Sequence, residues 1–379
     1  MNRKELKVLY VATSDIHIHT FHIPYLKWLK EQGCEVHVAA EKRGDFNFSW
    51  IDQFIDIPFP RTPFTFKNID CYRKLKSLIQ LNNYSLIHCH TPVPGVLARL
   101  AASTFRKKGT KVLYTAHGFH FFRGAPVKYW LFYYPVELLL SAFTDGIITL
   151  NREDYGYINN KMLQKDSFYI KGIGVDASRF KTLTDEDRKI VRKRLDYSQE
   201  DFILLFTAEF IYRKNHQFII ESVPELVKLI PELKIVFAGK GILMEQMKEL
   251  SLQLNVASCI NFLGFRTDVA DFAAVADIGI SSSRQEGLPI GIVEDMLCSL
   301  PVIATVDRGH KDLIEQGVNG YLYPQNDRAR FIDYIFWLYN DAPLRNRMGK
   351  AACLKAQEFT IEQSLRSMIN IYGKYLNLG

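Results

Sequence analysis

This sequence of 379 residues predicts two doubly wound α/β domains in tandem, facing each other across a cleft. Three observations lead there. The chain is longer than one ordinary core accommodates. Short apolar runs alternate with helix-length segments, and this rhythm restarts after a polar stretch at 172–187. The apolar runs are continuous, which indicates parallel strands covered on both faces.

In chain order, 6–13, 35–40, 85–90, 111–116 and 146–150 read as the strands of a first sheet. Helical stretches at 21–32, 69–81, 95–106 and 127–142 separate them. The second sheet is expected from 202–207, 233–238, 259–263, 278–281 and 301–304, with helices near 215–230, 243–254, 290–299 and 328–339. The tail, 343–378, reads as helical throughout. The expected domains are 1–174, 175–355 and a terminal helix, 356–379, that returns to the first domain. Ligands of such sheets bind at the carboxyl ends of the strands.

With 47% hydrophobic and 23% charged residues, wholesale disorder is excluded. The start of the chain is polar and then strand-like, without the apolar core of a secretory signal. The most apolar stretch, 129–143, holds Pro135 and Glu137 and is too short to span a bilayer. Six scattered cysteines without a C-x-x-C pair read as thiols of a reducing compartment. A soluble, cytoplasmic protein is expected. Charge is uneven: residues 1–174 carry 23 Lys+Arg against 14 Asp+Glu, whereas the remainder is slightly acidic. A basic first half suits an anionic membrane face or a phosphate-bearing ligand, or is ordinary surface charge. Nucleic acid is not an expected partner.

The most informative segment is Ser281-Ser-Ser-Arg-Gln-Glu286-Gly-Leu-Pro-Ile-Gly-Ile-Val-Glu294. A strand ends at the serines, a Gly/Pro turn follows, and Pro289 suits the first residue of a helix. The amides of Leu288, Ile290 and Gly291 would then lie free at a helix N-terminus, an arrangement suited to a diphosphate. Glu286 and Glu294 could accept hydrogen bonds from sugar and ribose hydroxyls. The bland reading is that both merely complement the helix dipole. Gly239-Lys-Gly241, between a strand and a helix, fits close packing or phosphate approach and is no P-loop.

Glu286 and Glu294, followed by Ser299-Leu-Pro-Val-Ile-Ala304 and Gly317-Val-Asn-Gly-Tyr-Leu322, resemble the C-terminal signature of the retaining GT-B glycosyltransferases of family four. Ile87-His-Cys-His-Thr-Pro-Val-Pro-Gly95, Thr115-Ala-His-Gly118 and Arg308-Gly-His-Lys-Asp-Leu-Ile314 resemble its exopolysaccharide and capsule branch. The resemblance covers nearly the whole chain. It implies two Rossmann-like domains, a nucleoside diphosphate sugar (a UDP-sugar) as donor, no cofactor and no metal. It further implies a saccharide or polyprenyl-diphosphate-linked acceptor, with peripheral contact at the inner face of the cell membrane. Glu286 would touch the donor sugar and Glu294 the ribose, with Gly287 and Pro289 in the same donor loop. Lys214 matches the lysine that neutralises the diphosphate, and His117 the histidine at the donor sugar. The family's Gly-Arg strand end reads Ala208-Glu209, so its arginine is missing, and Arg213 is the candidate to replace its charge. Gly239 and Arg266 fall in donor loops. Thr13, Ser14, His90 and His117 fall on the acceptor side, where the family's Gly-Gly reads Ala12-Thr-Ser-Asp15.

His88 and His90 share one face of a strand end, and His117 and His120 follow the next strand, so a His-ligated metallohydrolase is one alternative. It lacks an evident carboxylate ligand. A UDP-sugar epimerase of the same architecture is the other. Gly118-Phe-His-Phe-Phe-Arg-Gly124 and Tyr129-Trp-Leu-Phe-Tyr-Tyr134 set aromatics beside Arg123 and Lys128, which suits either a membrane interface or a buried helix face.

Overall fold

The computed structural model describes residues 6–60 and 62–378; the outer limits of the expected domains, 1 and 379, lie outside them. The chain forms two compact units, Met1–Gly174 with Ile361–Gly379, and Val175–Thr360. The last segment joins the first unit at Ile361 rather than at 356.

The first unit is built on a seven-stranded sheet of β1 (Lys7–Ser14), β2 (Glu35–Glu41), β3 (Gln53–Asp56), β4 (Leu86–His90), β5 (Lys111–Ala116), β6 (Gly146–Thr149) and β7 (Asp166–Tyr169). Its order is β3-β2-β1-β4-β5-β6-β7, with every pairing parallel. The second is built on β8 (Phe202–Thr207), β9 (Leu233–Ala238), β10 (Ile260–Gly264), β11 (Ile278–Ser281), β12 (Val302–Thr305) and β13 (Gly320–Tyr323), in the order β10-β9-β8-β11-β12-β13, again parallel. Strand order reverses between β1 and β4 in one sheet and between β8 and β11 in the other. The loops leaving those strands therefore diverge and open a crevice at each carboxyl edge.

The strands absent from the sequence reading are β3, β7 and β13, all four residues long and all at sheet edges. An edge strand is covered on fewer sides and so lacks the continuous apolar run by which a central strand is recognised. β4, buried along its whole length, reads clearly. The helix Asp15–Phe21 was also missed; its start is marked by Ser14, whose hydroxyl accepts from the His17 amide. The expectation of an uninterrupted helical tail is corrected. One helix spans Ala342–Ala356, the chain is extended at Thr360, and a separate helix runs from Ile361 to Leu376.

That last helix buries Ser364, Met368, Ile371, Tyr372 and Leu376. The Tyr372 hydroxyl is hydrogen-bonded to Tyr10 of β1 and, at 2.9 Å, to His88 Nδ1 of β4. Tyr25 donates to the Ile173 carbonyl at 2.6 Å and is bonded to Ser364 at 2.9 Å. Each unit also buries an arginine in an ion pair. Arg99 lies over the Tyr114 ring and is paired with Glu137, and Arg192 is paired with Asp277, which also accepts the Ile203 amide at 2.8 Å. All six cysteines are free, four of them buried.

In the helix Ala342–Ala356, buried Gly349 lies beneath the Ser299 carbonyl, leaving no room for a β-carbon. Glycine to alanine normally stabilises a helix interior by about 1 kcal/mol. Here Gly349→Ala is expected to lower stability by about 1–3 kcal/mol through overpacking, measured as a fall in denaturant midpoint.

Candidate active site

The donor-side residues gather at the switch point of the second sheet. After β8 the chain forms a 3-10 turn, Tyr212–Lys214, and ends it on Asn215 in the left-handed conformation at φ 57. The loop after β11 holds this turn. Ser282 Oγ donates to the carbonyls of Lys214 (3.1 Å) and Asn215 (2.8 Å), Arg284 Nη2 donates to Asn215 Oδ1 (2.7 Å), and the Arg284 amide donates to the Arg213 carbonyl (2.8 Å). Two loops from neighbouring strands are thus fixed against each other. Lys214 Nζ is brought to 2.5 Å from Glu286 Oε1, and Arg213 Nη1 to 3.1 Å from Oε2.

Glu286 is only 4% exposed. Burial alone would push its carboxyl up, but the charges of Lys214 and Arg213 prevail and hold it below the usual carboxylate range. Asp307 fixes its backbone: Oδ1 accepts the amides of Glu286 (3.0 Å) and Gly309 (2.8 Å). Burial raises Asp307 itself to about 6. A β-carbon on Gly309 would press on Glu286 and Pro289, so this glycine lets the next loop close over the turn. Buried His310 bonds through Nδ1 to the Thr305 carbonyl (2.9 Å), which leaves a lone pair on Nε2. Burial pushes it down to about 4 and keeps it neutral despite nearby Glu286. The sequence reading singled out neither Asp307 nor His310 for a role; His310 stood within a recognised motif, Asp307 directly before it.

The helix after this turn spans Ile290–Leu297. Pro289 is extended and caps it rather than beginning it, a correction to the sequence reading. The first intrahelical amides, of Ile292 and Val293, both return to the Pro289 carbonyl, and no side chain caps the end. The amides of Ile290 and Gly291 precede those bonds and face the positive end of the helix dipole. Leu288 is half-buried and packs on the core with Ile290. A β-carbon on Gly291 would lie 2.9 Å from the Thr207 carbonyl, so the helix start sits directly on the end of β8. Glu294 lies one turn further on, half-buried, and burial raises it to about 7.

Two expected donor residues lie apart from this group. Exposed Arg266 is paired with Asp268 (Nε–Oδ1 2.8 Å). Gly239, at φ +153, has the Ala208 carbonyl where a β-carbon would be, and its amide donates to the Gly264 carbonyl at 2.8 Å, so close packing accounts for it. Glu209 is exposed.

In the first unit, Thr13 and Ser14 line a cavity of about 320 Å³ with His17, Arg43 and Thr91. Thr13 Oγ1 donates to Thr91 Oγ1 at 2.8 Å. Thr91 has φ 64, rare for a β-branched residue and an indication of a tightly constrained strand end. A larger cavity, about 620 Å³, shares Arg43 and Pro60 with the first and adds Lys67, Arg73 and Lys74. His88 and His90 do share a face, but both nitrogens of His88 are engaged, with Tyr372 and with Thr115 at 2.8 Å. The pairing of His117 with His120 is not formed; His120 stacks on Tyr133, and His117 adjoins His17 and His90.

Residues 187–354 match the "Glycosyl transferases group 1" family model, and residues 7–151 match "Glycosyl transferase 4-like". The chain is 42% identical over 375 residues to EpsD of Bacillus subtilis, a glycosyltransferase by name, with 98% of this chain and 97% of the relative covered. The chain belongs to the group 1, family 4-like glycosyltransferases. It is 28% identical over 334 residues to the Escherichia coli UDP-Gal:alpha-D-GlcNAc-diphosphoundecaprenol alpha-1,3-galactosyltransferase, covering 85% of this chain and 84% of that one. In fold it is similar to Anabaena HepE, crystallised with UDP and glucose, at TM-score 0.78 and 19% identity over 98% of this chain and 100% of the other. Its fold is GT-B, with one Rossmann-like sheet in each unit.

For a glycosyltransferase of this fold, the arrangement at β8 and β11 has a direct chemical meaning. Two cations converge on one carboxylate beside an uncapped helix start, leaving a net positive field. An arriving anion can share the cations with Glu286 and free a carboxylate oxygen for hydroxyl donors.

The raised carboxyl of Glu294 has a stability consequence. Because its folded value of about 7 exceeds the unfolded value near 4.5, its contribution is fully present below pH 4.5 and is lost as pH rises to about 7. Glu294→Gln is therefore expected to flatten the fall in stability between pH 5 and pH 8 by on the order of 3 kcal/mol, measured by denaturant unfolding at both values.

Proposed function

We propose that this enzyme transfers a hexosyl group, with retention of configuration, from a UDP-sugar to a lipid-linked saccharide in surface polysaccharide synthesis. The observation that carries the reading is the convergence of Lys214 and Arg213 on buried Glu286 beside the open start of the helix Ile290–Leu297. The diphosphoundecaprenol acceptor and UDP-sugar donor in the name of the E. coli relative support the substrate classes, as does the UDP bound to HepE.

In this reading Lys214, Arg213 and the amides of Ile290 and Gly291 neutralise the charge that grows on the leaving diphosphate, so no metal is required. Glu286 accepts from donor-sugar hydroxyls once the diphosphate has loosened its ion pairs. Glu294 accepts from the ribose, beside the backbone of Gly287 and Leu288, and His117 serves the donor sugar. The anomeric C–O bond breaks with its electron pair left on the β-phosphate oxygen. The acceptor hydroxyl attacks from the same face, and its proton passes to that oxygen, yielding UDP and the glycoside. Thr13, Ser14 and His90 stand on the acceptor side, and the basic lining of the larger cavity, with Arg43, Lys67, Arg73 and Lys74, supports an acceptor that carries phosphate.

Saturation-transfer NMR with UDP-, GDP- and ADP-sugars in EDTA tests the donor assignment. Binding of one UDP-sugar, lost in Glu294→Ala and Lys214→Ala, is expected; binding of none refutes it. Lys214→Ala should lower kcat by roughly 10²- to 10³-fold, while EDTA does not lower the wild-type rate. Full activity in the lysine variant would overturn the clamp.

No helix among the described residues is long and apolar enough to cross a membrane. The helix Val127–Ser141 nonetheless presents Val127, Leu131, Phe132, Val136 and Leu139 to solvent, with Leu131 68% and Phe132 67% exposed, while Trp130, Tyr133 and Tyr134 pack on the core. Lys128 lies on the same helix. In the proposed function this face rests on an anionic membrane at the cytoplasmic side. Flotation with vesicles containing phosphatidylglycerol should retain the wild type and release Leu131→Asp/Phe132→Asp; equal retention of both would refute it.

A further inference from the structure

Four imidazoles converge at the carboxyl edge of the first sheet. His17 lies on the helix Asp15–Phe21 that follows β1, His22 on the link to the next helix, His90 at the end of β4, and His117 just beyond the end of β5. Since β1, β4 and β5 are neighbours in the sheet, residues separated by up to a hundred positions meet at one point. One candidate ligand nitrogen from each lies within 4.8 Å of all the others. His22 and His90 are closest, at 4.0 Å between ring centres.

Their hydrogen bonding sets these rings apart. His88, adjoining His90, engages both nitrogens with Tyr372 and Thr115. By contrast, both nitrogens of His22, both of His90, and Nε2 of His17 and of His117 are buried without a hydrogen-bond partner. Such groups are rarely left unmet. Burial is also the main cause holding all four well below the ordinary histidine value, about 4 for His17, so each is neutral near pH 7 and offers a lone pair. Neutral imidazole is the preferred ligand of late first-row divalent ions.

We propose that His17, His22, His90 and His117 bind one Zn²⁺-class metal ion in four-coordinate fashion. Tetrahedral bonds of about 2.0–2.1 Å place ligand nitrogens about 3.4 Å apart, so the rings must draw inward modestly. Four protein ligands leave no open position, so the ion carries no chemistry and the metal-bound form cannot also offer His117 to the donor sugar. It ties the Asp15–Phe21 helix and its link to two strand ends beside the cavity lined by Thr13 and Ser14. The ion takes no part in neutralising the donor diphosphate, and it competes with the donor sugar for His117. The readout, metal uptake by the donor-free chain, does not depend on the transferase reading.

The test uses the tag-free full chain, stripped with chelator and titrated with Co²⁺ while its ligand-field absorption is followed. One equivalent with an intense tetrahedral spectrum, displaced by one equivalent of Zn²⁺, is expected. His22→Ala and His90→Ala should each weaken uptake at least about tenfold, the loss already typical of outer-sphere changes. His19→Ala, an exposed ring stacked on Phe46, should leave it unchanged. If either variant fails to fold by circular dichroism, ¹⁵N-histidine NMR of the wild type replaces it, with four imidazoles expected to shift together at one equivalent of Zn²⁺. No saturable uptake, an octahedral spectrum, uptake indifferent to both variants, or a different set of shifted rings would overturn the proposal.

Discussion

A carboxylate that is almost wholly buried needs counter-charges close by, and Glu286 has two, from Lys214 and Arg213. The loops around it are organised to keep that triad together. Ser282 and Arg284 bond the turn that carries the cations, Asp307 bonds the amide of the acid, and Gly309 makes room for the contact. Loss of one cation would leave the buried carboxylate less compensated, so these hydrogen bonds and ion pairs hold the loops in one arrangement. In the proposed function such fixed charges need little reorganisation when the diphosphate binds. At Ala208-Glu209, where the sequence departs from the family pattern, Glu209 is exposed, and Arg213 is paired with Glu286.

The first unit solves a different problem. Its sheet ends in a crowd of aromatic and imidazole rings, with Tyr10 stacked on His90 and bonded to Tyr372, and His88 bonded to Tyr372 and Thr115. The helix Ile361–Leu376, last in the chain, thus seals the middle of a sheet formed by the first residues. A polar hydrogen-bonded seam inside an apolar core has a restricted geometry, which fixes where that helix sits. His22 and His90 lack such partners at both nitrogens, and His17 and His117 at Nε2, and that contrast distinguishes them from His88.

Much of the architecture was legible because central parallel strands are continuous apolar runs, and those of β1, β2, β4, β5, β8, β9 and β11 stand out. The short edge strands β3, β7 and β13 were not legible, since partial exposure allows polar residues into them. The family resemblance marked Lys214 and Glu286, and the structure sets them 2.5 Å apart. Arg266 and Gly239 were marked too, yet one is engaged by a local aspartate and the other by a strand-end carbonyl. Spacing along a chain locates a loop; it does not give the direction of a side chain.

By itself, then, the sequence determined the two-sheet α/β plan, because hydrophobic period and turn residues are local properties written in consecutive positions, and its motifs carried the glycosyltransferase resemblance. Only the tertiary structure decided that Arg213 turns toward Glu286, that Asp307 holds that loop, and that His17 and His22 join His90 and His117 rather than His88 or His120. Those outcomes depend on which strands become neighbours in the sheet, and strand order is a long-range choice made by packing, which residue spacing does not encode.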